Sequence, residues 1–168
     1  MSTMDRQQLR QATLDLLRRN ARIPAAAVAE RLQTTPETIA ELIREMEQDG
    51  TIIGYYALVN EEILESTAVR AIIEVQVQPQ RDSGFDPVAL KISKFPEVQT
   101  VHLVSGGYDL RLEVVGRSLH EVASFVASKL APLDGVKATV THFLLKKYKE
   151  AGFQLREDEA YERLKVVP

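Results

Sequence analysis

The 168-residue chain contains no cysteine, which excludes disulfides, cysteine-ligated zinc, iron–sulfur clusters and a thiol nucleophile. It has no apolar run near the roughly 20 residues needed to span a bilayer, and its opening MSTMDRQQLRQ lacks the pattern of a signal peptide. It also lacks an excess of positive charge: 21 basic residues against 24 acidic ones give a net charge of −3. Dividing the chain at Asn60 does not change this, with seven arginines against eight acids before it and 14 basic against 16 acidic residues after it. Attraction to nucleic acid would have to come from local placement of charge.

The composition, 45% hydrophobic, 27% charged and 6% aromatic, is that of a globular protein. The length suits one ordinary domain or two small ones with a buried core. A soluble, cytoplasmic protein with no membrane partner is expected.

The first half reads as helices. Leu9, Ala12, Leu16 and Leu17 recur at helical spacing, with Arg6, Arg10, Arg18 and Arg19 free to lie outside. Asn20 to Ile23 break this helix, and Pro24 suits the first turn of a short second one, Ala25 to Leu32. Gln33-Thr34-Thr35 forms a turn, with Thr35 as N-cap and Pro36 as the first residue of a third helix. There Ile39, Leu42, Ile43 and Met46 make a clean apolar stripe, and Asp49-Gly50 closes the helix. Helix, short helix, three-residue turn and longer helix is the helix-turn-helix layout, with Pro36–Asp49 in the recognition position. A plain three-helix bundle has the same periodicity, so spacing alone leaves both readings open. Thr51 to Asn60 reads as a strand or an extended connector.

Beyond Glu62 the pattern changes to alternation. Val69, Ala71, Ile73, Val75 and Val77 share one face of a strand. A polar loop (79–84) leads to a helix from Asp86 to Phe95, and Val98–Ser105 forms a second strand. A tight turn at Gly106-Gly107 precedes a third strand, Leu110–Val115. Ser118 should cap a helix to Leu130, with Glu121 completing a capping box, and a last strand should run from Val136 to Leu145. This βαββαβ order predicts a ferredoxin-like antiparallel sheet with both helices on one face. Ile72, Val115, Phe143 and Leu145 are then expected on the bare face, whose apolar character predicts oligomerisation. Residues 146–168 form a charged tail in which Phe153, Leu155 and Leu164 could dock. The fold class is thus α+β: a helix-turn-helix domain (1–54, winged-helix-like), a connector (55–66), the βαββαβ module (67–150) and a tail (151–168).

Three groups of residues carry a family resemblance: Leu14-Asp15-Leu16-Leu17 through Glu47-Gln48-Asp49-Gly50-Thr51-Ile52-Ile53-Gly54-Tyr55, then Val104 to Asp109, then Lys146-Lys147-Tyr148-Lys149. In order and spacing, to about Gly152, they resemble the leucine-responsive/asparagine (Lrp/AsnC) transcriptional regulators. The resemblance implies double-stranded DNA as partner and a C-terminal module that oligomerises and senses an amino acid or related small molecule. It also implies a homodimer that assembles to tetramers or octamers. It places the effector at the turn Ser105, Gly106, Gly107, Tyr108 and Asp109. There glycine amides could approach a carboxylate, Asp109 could pair with an ammonium, and Tyr108 could form a wall. The same residues also make an ordinary hairpin that needs no ligand. Gly107 departs from the acidic or polar residue more common in the family, which leaves the effector's identity open.

Many family members carry arginines where this chain has Glu41 and Leu42. The face expected to be exposed is Glu37, Thr38, Glu41, Arg44, Glu45 and Gln48. Arg44 and Thr38 are expected to read bases, with Glu37 or Glu41 accepting from cytosine. Thr35, Arg22 and Arg31, joined by Arg6 or Arg10, would contact phosphates of a pseudo-palindromic operator. Alternatively, the acidic helix has lost strong DNA affinity and binding depends on multimer avidity. The chain would then be a small-molecule sensor or a protein-interaction module.

No catalytic, metal or cofactor site is read. His102, His120 and His142 have no carboxylate at ligand spacing, and no phosphate loop, G-x-G-x-x-G or G-x-S-x-G occurs. Asp109 with His102 or Glu113 is the only conceivable acid–base pair. The Glu157-Asp158-Glu159 run reads as a solvated face.

Overall fold

The computed structural model describes residues 4–61, 63–64 and 68–155. The chain divides into two compact units between Leu58 and Val59.

In the first unit, α1 (Arg6–Arg19), α2 (Ala25–Leu32) and α3 (Pro36–Gln48) surround a small core of Leu9, Val28, Ala29, Ile39 and Leu42. A capping box not evident from the sequence starts α1. The Asp5 carboxylate accepts from the Gln8 amide at 2.8 Å, and the Gln8 side chain accepts from the Asp5 amide at 3.1 Å. The buried stripe of α1 is Leu9, Thr13 and Leu17, with Leu16 only half-buried. Thr13 is tolerated inside because its hydroxyl donates to the Leu9 carbonyl at 2.8 Å. Gln33 ends α2 in the left-handed region (φ 54), where its N–H still reaches the Ala29 and Glu30 carbonyls. Thr35 then caps α3, accepting from the Thr38 amide at 3.3 Å, with Pro36 in the first turn. Thr51–Asn60 forms no strand; it is irregular and exposes Ile53, Tyr55, Tyr56 and Val59.

In the second unit, β1 (Val69–Val77), β2 (Val98–Leu103), β3 (Leu110–Gly116) and β4 (Val136–Phe143) form an antiparallel sheet in the order β2-β3-β1-β4. α4 (Asp86–Ile92) and α5 (Leu119–Phe125) supply Val88, Ile92, Val122 and Phe125 to its core. Ala71, Ile73, Val75 and Val77 meet Leu110, Leu112 and Val114 in that core, as their alternation predicts. Phe95 and Phe125 pack edge to face, with ring centroids 5.6 Å apart. At Gly135 (φ 93) a Cβ would lie 2.8 Å from the Val88 side chain, so both conformation and space call for glycine.

Several boundaries differ from expectation. α4 stops at Ile92, and tighter turns carry the chain through Phe95, which donates its N–H to the Ile92 carbonyl. α5 gives way after Phe125 to a π-helical turn, Val126–Leu130, closed by the Ala131 N–H on the Val126 carbonyl at 2.8 Å. Ser118 does cap α5, but Glu121 forms no reciprocal box. Its carboxylate reaches one residue further back, accepting from the Arg117 amide at 2.5 Å and from the Arg117 guanidinium. β2 ends at Leu103 and β4 at Phe143.

The bare sheet face also needs correction. Phe143 pairs with Ala71 in register and so falls on the helix side, and Leu145 lies beyond β4, 95% exposed. The cross-strand partners on the outward side are Arg70 with Val115, Ile72 with Glu113 and His142, and Glu74 with Arg111 and Val140. Ions alternate with apolar residues there, so the face is not continuously apolar. Of the tail, β5 (Lys149–Glu150) and β6 (Phe153–Gln154) form a small hairpin, while Leu164 and the Glu157-Asp158-Glu159 run lie outside the described residues.

Candidate functional site

Burial of Ile39, Leu42 and Met46 fixes the rotation of α3. Glu37, Glu41, Arg44 and Gln48 consequently form one exposed stripe at spacings of four, three and four residues. Thr38 is half-buried beside it, and its hydroxyl is 3.0 Å from the Thr35 hydroxyl.

The charges of this unit are sorted by pairing. Arg6 bonds Glu45 at 2.5 Å, and Arg10 bonds Asp49 at 2.6 Å and the Thr51 hydroxyl at 2.6 Å. These two arginines, expected as phosphate contacts, instead neutralise carboxylates on or next to α3. Bonds from Thr51 and Arg10 hold the Asp49 pKa down at about 2. Glu47 accepts from the Tyr55 hydroxyl at 3.0 Å, and burial followed by that bond raises the Tyr55 pKa. Glu45 is therefore removed from the expected reading face. Among the described residues, no hydrogen bond or ion pair engages the side chains of Arg22, Arg31, Arg44, Glu37 or Glu41. The unit thus presents unneutralised arginines despite its acidic total. No signal in the sequence marked Arg6 and Arg10 as paired within the unit, because their partners lie 39 residues away.

In the second unit, residues 104–109 connect β2 to β3 as a six-residue loop rather than a two-residue turn, closed by the Val104 N–H on the Asp109 carbonyl at 2.9 Å. Asp109 is fixed twice to β1. Its N–H donates to the Val75 carbonyl at 3.0 Å, and its carboxylate accepts from the Val77 N–H at 2.7 Å. The Gln76 side chain donates to the Gly107 carbonyl at 3.2 Å. Nothing lies within 4 Å of where a Cβ would stand on Gly106 or Gly107, so the backbone there is open to approach. Ser105 is exposed and Tyr108 half-buried. The loop lines none of the three cavities described in this unit.

Other chemistry finds little support. His142 does have a carboxylate beside it, Glu74 at 3.4 Å, contrary to the expectation from sequence. No group of three or more potential metal ligands occurs among the described residues, and no helix there is long and apolar enough to cross a membrane.

Residues 6–53 match a family model described as winged helix-turn-helix DNA-binding, and residues 70–152 match one described as the Lrp/AsnC ligand binding domain. The chain is 37% identical over 156 residues to the uncharacterized HTH-type transcriptional regulator YugG of Bacillus subtilis, covering 92% of this chain and 94% of that one. It is 28% identical to the leucine-responsive regulatory protein of Haemophilus influenzae, covering 83% and 84% of the two chains. Among solved structures, Escherichia coli AsnC superposes with a TM-score of 0.63 at 25% identity, over 84% of this chain and 93% of that one.

Proposed function

The chain belongs to the Lrp/AsnC family of transcriptional regulators, with a DNA-binding helix-turn-helix and a ligand-binding domain, and from that premise we propose how the two are used. The stripe Glu37, Glu41, Arg44 and Gln48 enters the major groove, with Arg44 as its base-reading cation. The observation that carries this reading is that Arg44 stands exposed on that stripe with no carboxylate engaging it among the described residues. An arginine in that state can offer both prongs of its guanidinium to guanine. Glu37 or Glu41 accepts from cytosine, and Thr38 makes the smaller adjacent contact. Arg22, Arg31 and Thr35 supply the phosphate contacts, since Arg6 and Arg10 are already paired with Glu45 and Asp49.

A homodimer presenting two such helices would favour a pseudo-palindrome whose half-sites lie about one helical turn, or a multiple of it, apart. An amino acid or a related molecule is the effector, in keeping with the name of the leucine-responsive relative. It binds over Ser105 to Asp109, where the glycine backbone is open and the carboxylate of Asp109 is fixed in place. It acts by binding one assembly state, from dimer to tetramer or octamer, more tightly than another. Such a regulator works in the cytoplasm.

The test is selection from a genomic DNA pool at about 50 and 200 mM salt, with Arg44→Ala alongside. One enriched pseudo-palindrome with a steep salt dependence is expected. No enrichment at either salt would overturn the reading. It would favour a sensor or protein-interaction role, to which the unneutralised Glu37 and Glu41 lend support.

A further inference from the structure

The segment that leads from α3 into the second unit is fastened at both ends and bare in the middle. At its start, Thr51 donates its N–H to the Asp49 carboxylate at 2.9 Å, and its hydroxyl accepts from Arg10 at 2.6 Å. The Ile52 N–H reaches the Met46 carbonyl at 2.8 Å. Ile53 and Gly54 make no hydrogen bond among the described residues, and Ile53 is 97% exposed. Tyr55 then turns back to α3, its hydroxyl donating to Glu47 at 3.0 Å.

The far end belongs to the second unit. There the Asn60 side chain donates to the Leu155 carbonyl at 3.4 Å, next to β6. The Glu61 carboxylate accepts from the Nε of Arg70 on β1 at 3.0 Å. That bond holds the Glu61 pKa down, so the contact is charge-assisted at neutral pH. Between Tyr55 and Asn60, no hydrogen bond or ion pair engages residues 56–59 among the described residues.

We propose that Tyr55 is a positioning residue for operator binding, its bond to Glu47 confining the tether between reading head and C-terminal module to residues 56–59. The inference rests on the paired recognition helices proposed above. From Tyr55 to Asn60 the chain takes five Cα steps, about 17 Å when fully extended. Without the Tyr55 bond the free stretch begins after Ile52 and takes eight steps, about 28 Å. The added reach of about 10 Å corresponds to about three base pairs of B-DNA. The Tyr55 hydroxyl thereby limits how far apart two half-sites can lie, without itself touching DNA. Arg10 and Asp49 lie upstream of this bond and hold Thr51 whether or not Tyr55 is fastened.

Because the chain lacks cysteine and Ile53 is almost fully exposed, Ile53→Cys accepts a single nitroxide label in the full-length protein. The label should be restrained in that background and freed by Tyr55→Phe, seen as a sharpened spectrum. Glu47→Ala should free it equally and add nothing to Tyr55→Phe. Glu47→Gln keeps an acceptor and should leave the label restrained. Tyr56→Phe removes a hydroxyl that has no partner among the described residues, and should change nothing.

The same substitutions without the label are then assayed on inverted repeats of the half-site enriched by the wild type, with spacers varied by single base pairs. Tyr55→Phe should accept spacers about three base pairs beyond the wild-type window, with affinity for a single half-site unchanged. A merely structural weakening would lower single-half-site binding instead. Equal label mobility in wild type and Tyr55→Phe, the same release by Tyr56→Phe, or an unchanged spacer window would overturn the proposal. If the wild type enriches no half-site, the function proposed above fails, and label mobility alone decides whether Tyr55 anchors the tether.

Discussion

The carboxylate of Asp109 accepts a 2.7 Å hydrogen bond from the backbone N–H of Val77, a residue 32 positions earlier in the chain. An aspartate in the candidate effector loop is thus also a brace for β1. Asp109→Ala would leave a part-buried N–H without its acceptor, at a cost of about 1–3 kcal/mol. Asp109→Asn keeps an acceptor and removes only the charge. The alanine variant should melt earlier, whereas the asparagine variant should fold normally and lose any response to amino acids. A wild-type response retained in Asp109→Asn would remove this carboxylate from the effector site.

On α3, Arg44→Ala should weaken operator binding by about 1–3 kcal/mol and relax sequence preference at one position of each half-site. Glu41→Gln should act oppositely on non-specific DNA, tightening it by removing an unneutralised negative charge from the groove-facing stripe. Binding curves on operator and scrambled duplexes would show both effects. An unchanged operator affinity in Arg44→Ala excludes its base contact.

The pairing of Arg6 with Glu45 predicts a contrast in salt dependence. Replacing both residues by alanine removes a neutral pair and should leave the salt slope of DNA binding nearly unchanged. Arg22→Ala, which removes an unneutralised cation, should lower that slope by about one. Equal loss of slope in the two variants would contradict the sorting of charges seen here.

Acid should loosen the clasp between α1 and the end of α3. Because the Asp49 pKa is depressed to about 2 from 3.8, the stabilisation from Asp49 is complete above the unfolded value. It declines as pH falls toward the folded one. The first unit should lose stability between about pH 4 and 2, and Asp49→Asn should flatten that part of the curve. The side-chain carboxyl resonance of Asp49, followed by NMR through acid titration, reads the group directly.

In the core of the second unit, Phe125→Ala removes a 3% exposed ring packed edge to face on Phe95. A loss of about 3–5 kcal/mol is expected in denaturant unfolding. Leu119→Ala, one helix position after the Ser118 cap and 57% exposed, should cost far less.

The parts of the fold legible in the sequence were those where one short-range pattern decides. Ile39, Leu42 and Met46 lie at helical spacing on a face with one place to go, and Thr35-Pro36 is a start signal needing no distant partner. Alternation along Val69–Val77 likewise fixed both the strand and its buried face. The errors came from long-range or inserted features. The facing of Phe143 depends on the register of β4 against β1, including a shift at Gln76/Val77 that no count along β4 reveals. Glu121 had two N–H donors within reach, and the adjacent Arg117 guanidinium favoured the further one. In the candidate site, α3 could be read locally, but which arginines remain unneutralised depends on partners 39 residues away.

The alternation of ions and apolar residues on the outward sheet face has a thermodynamic consequence for whatever covers it. Arg70, Glu74, Arg111 and Glu113 stay in partial contact with water when that side is bare, so a lone subunit remains wettable there. Covering the face exchanges ion hydration for ion contacts, two large quantities that nearly cancel. Attachment there would be shallow, readily undone by a modest rise in ionic strength, and easily tipped by a small solute that contributes only a few charges of its own.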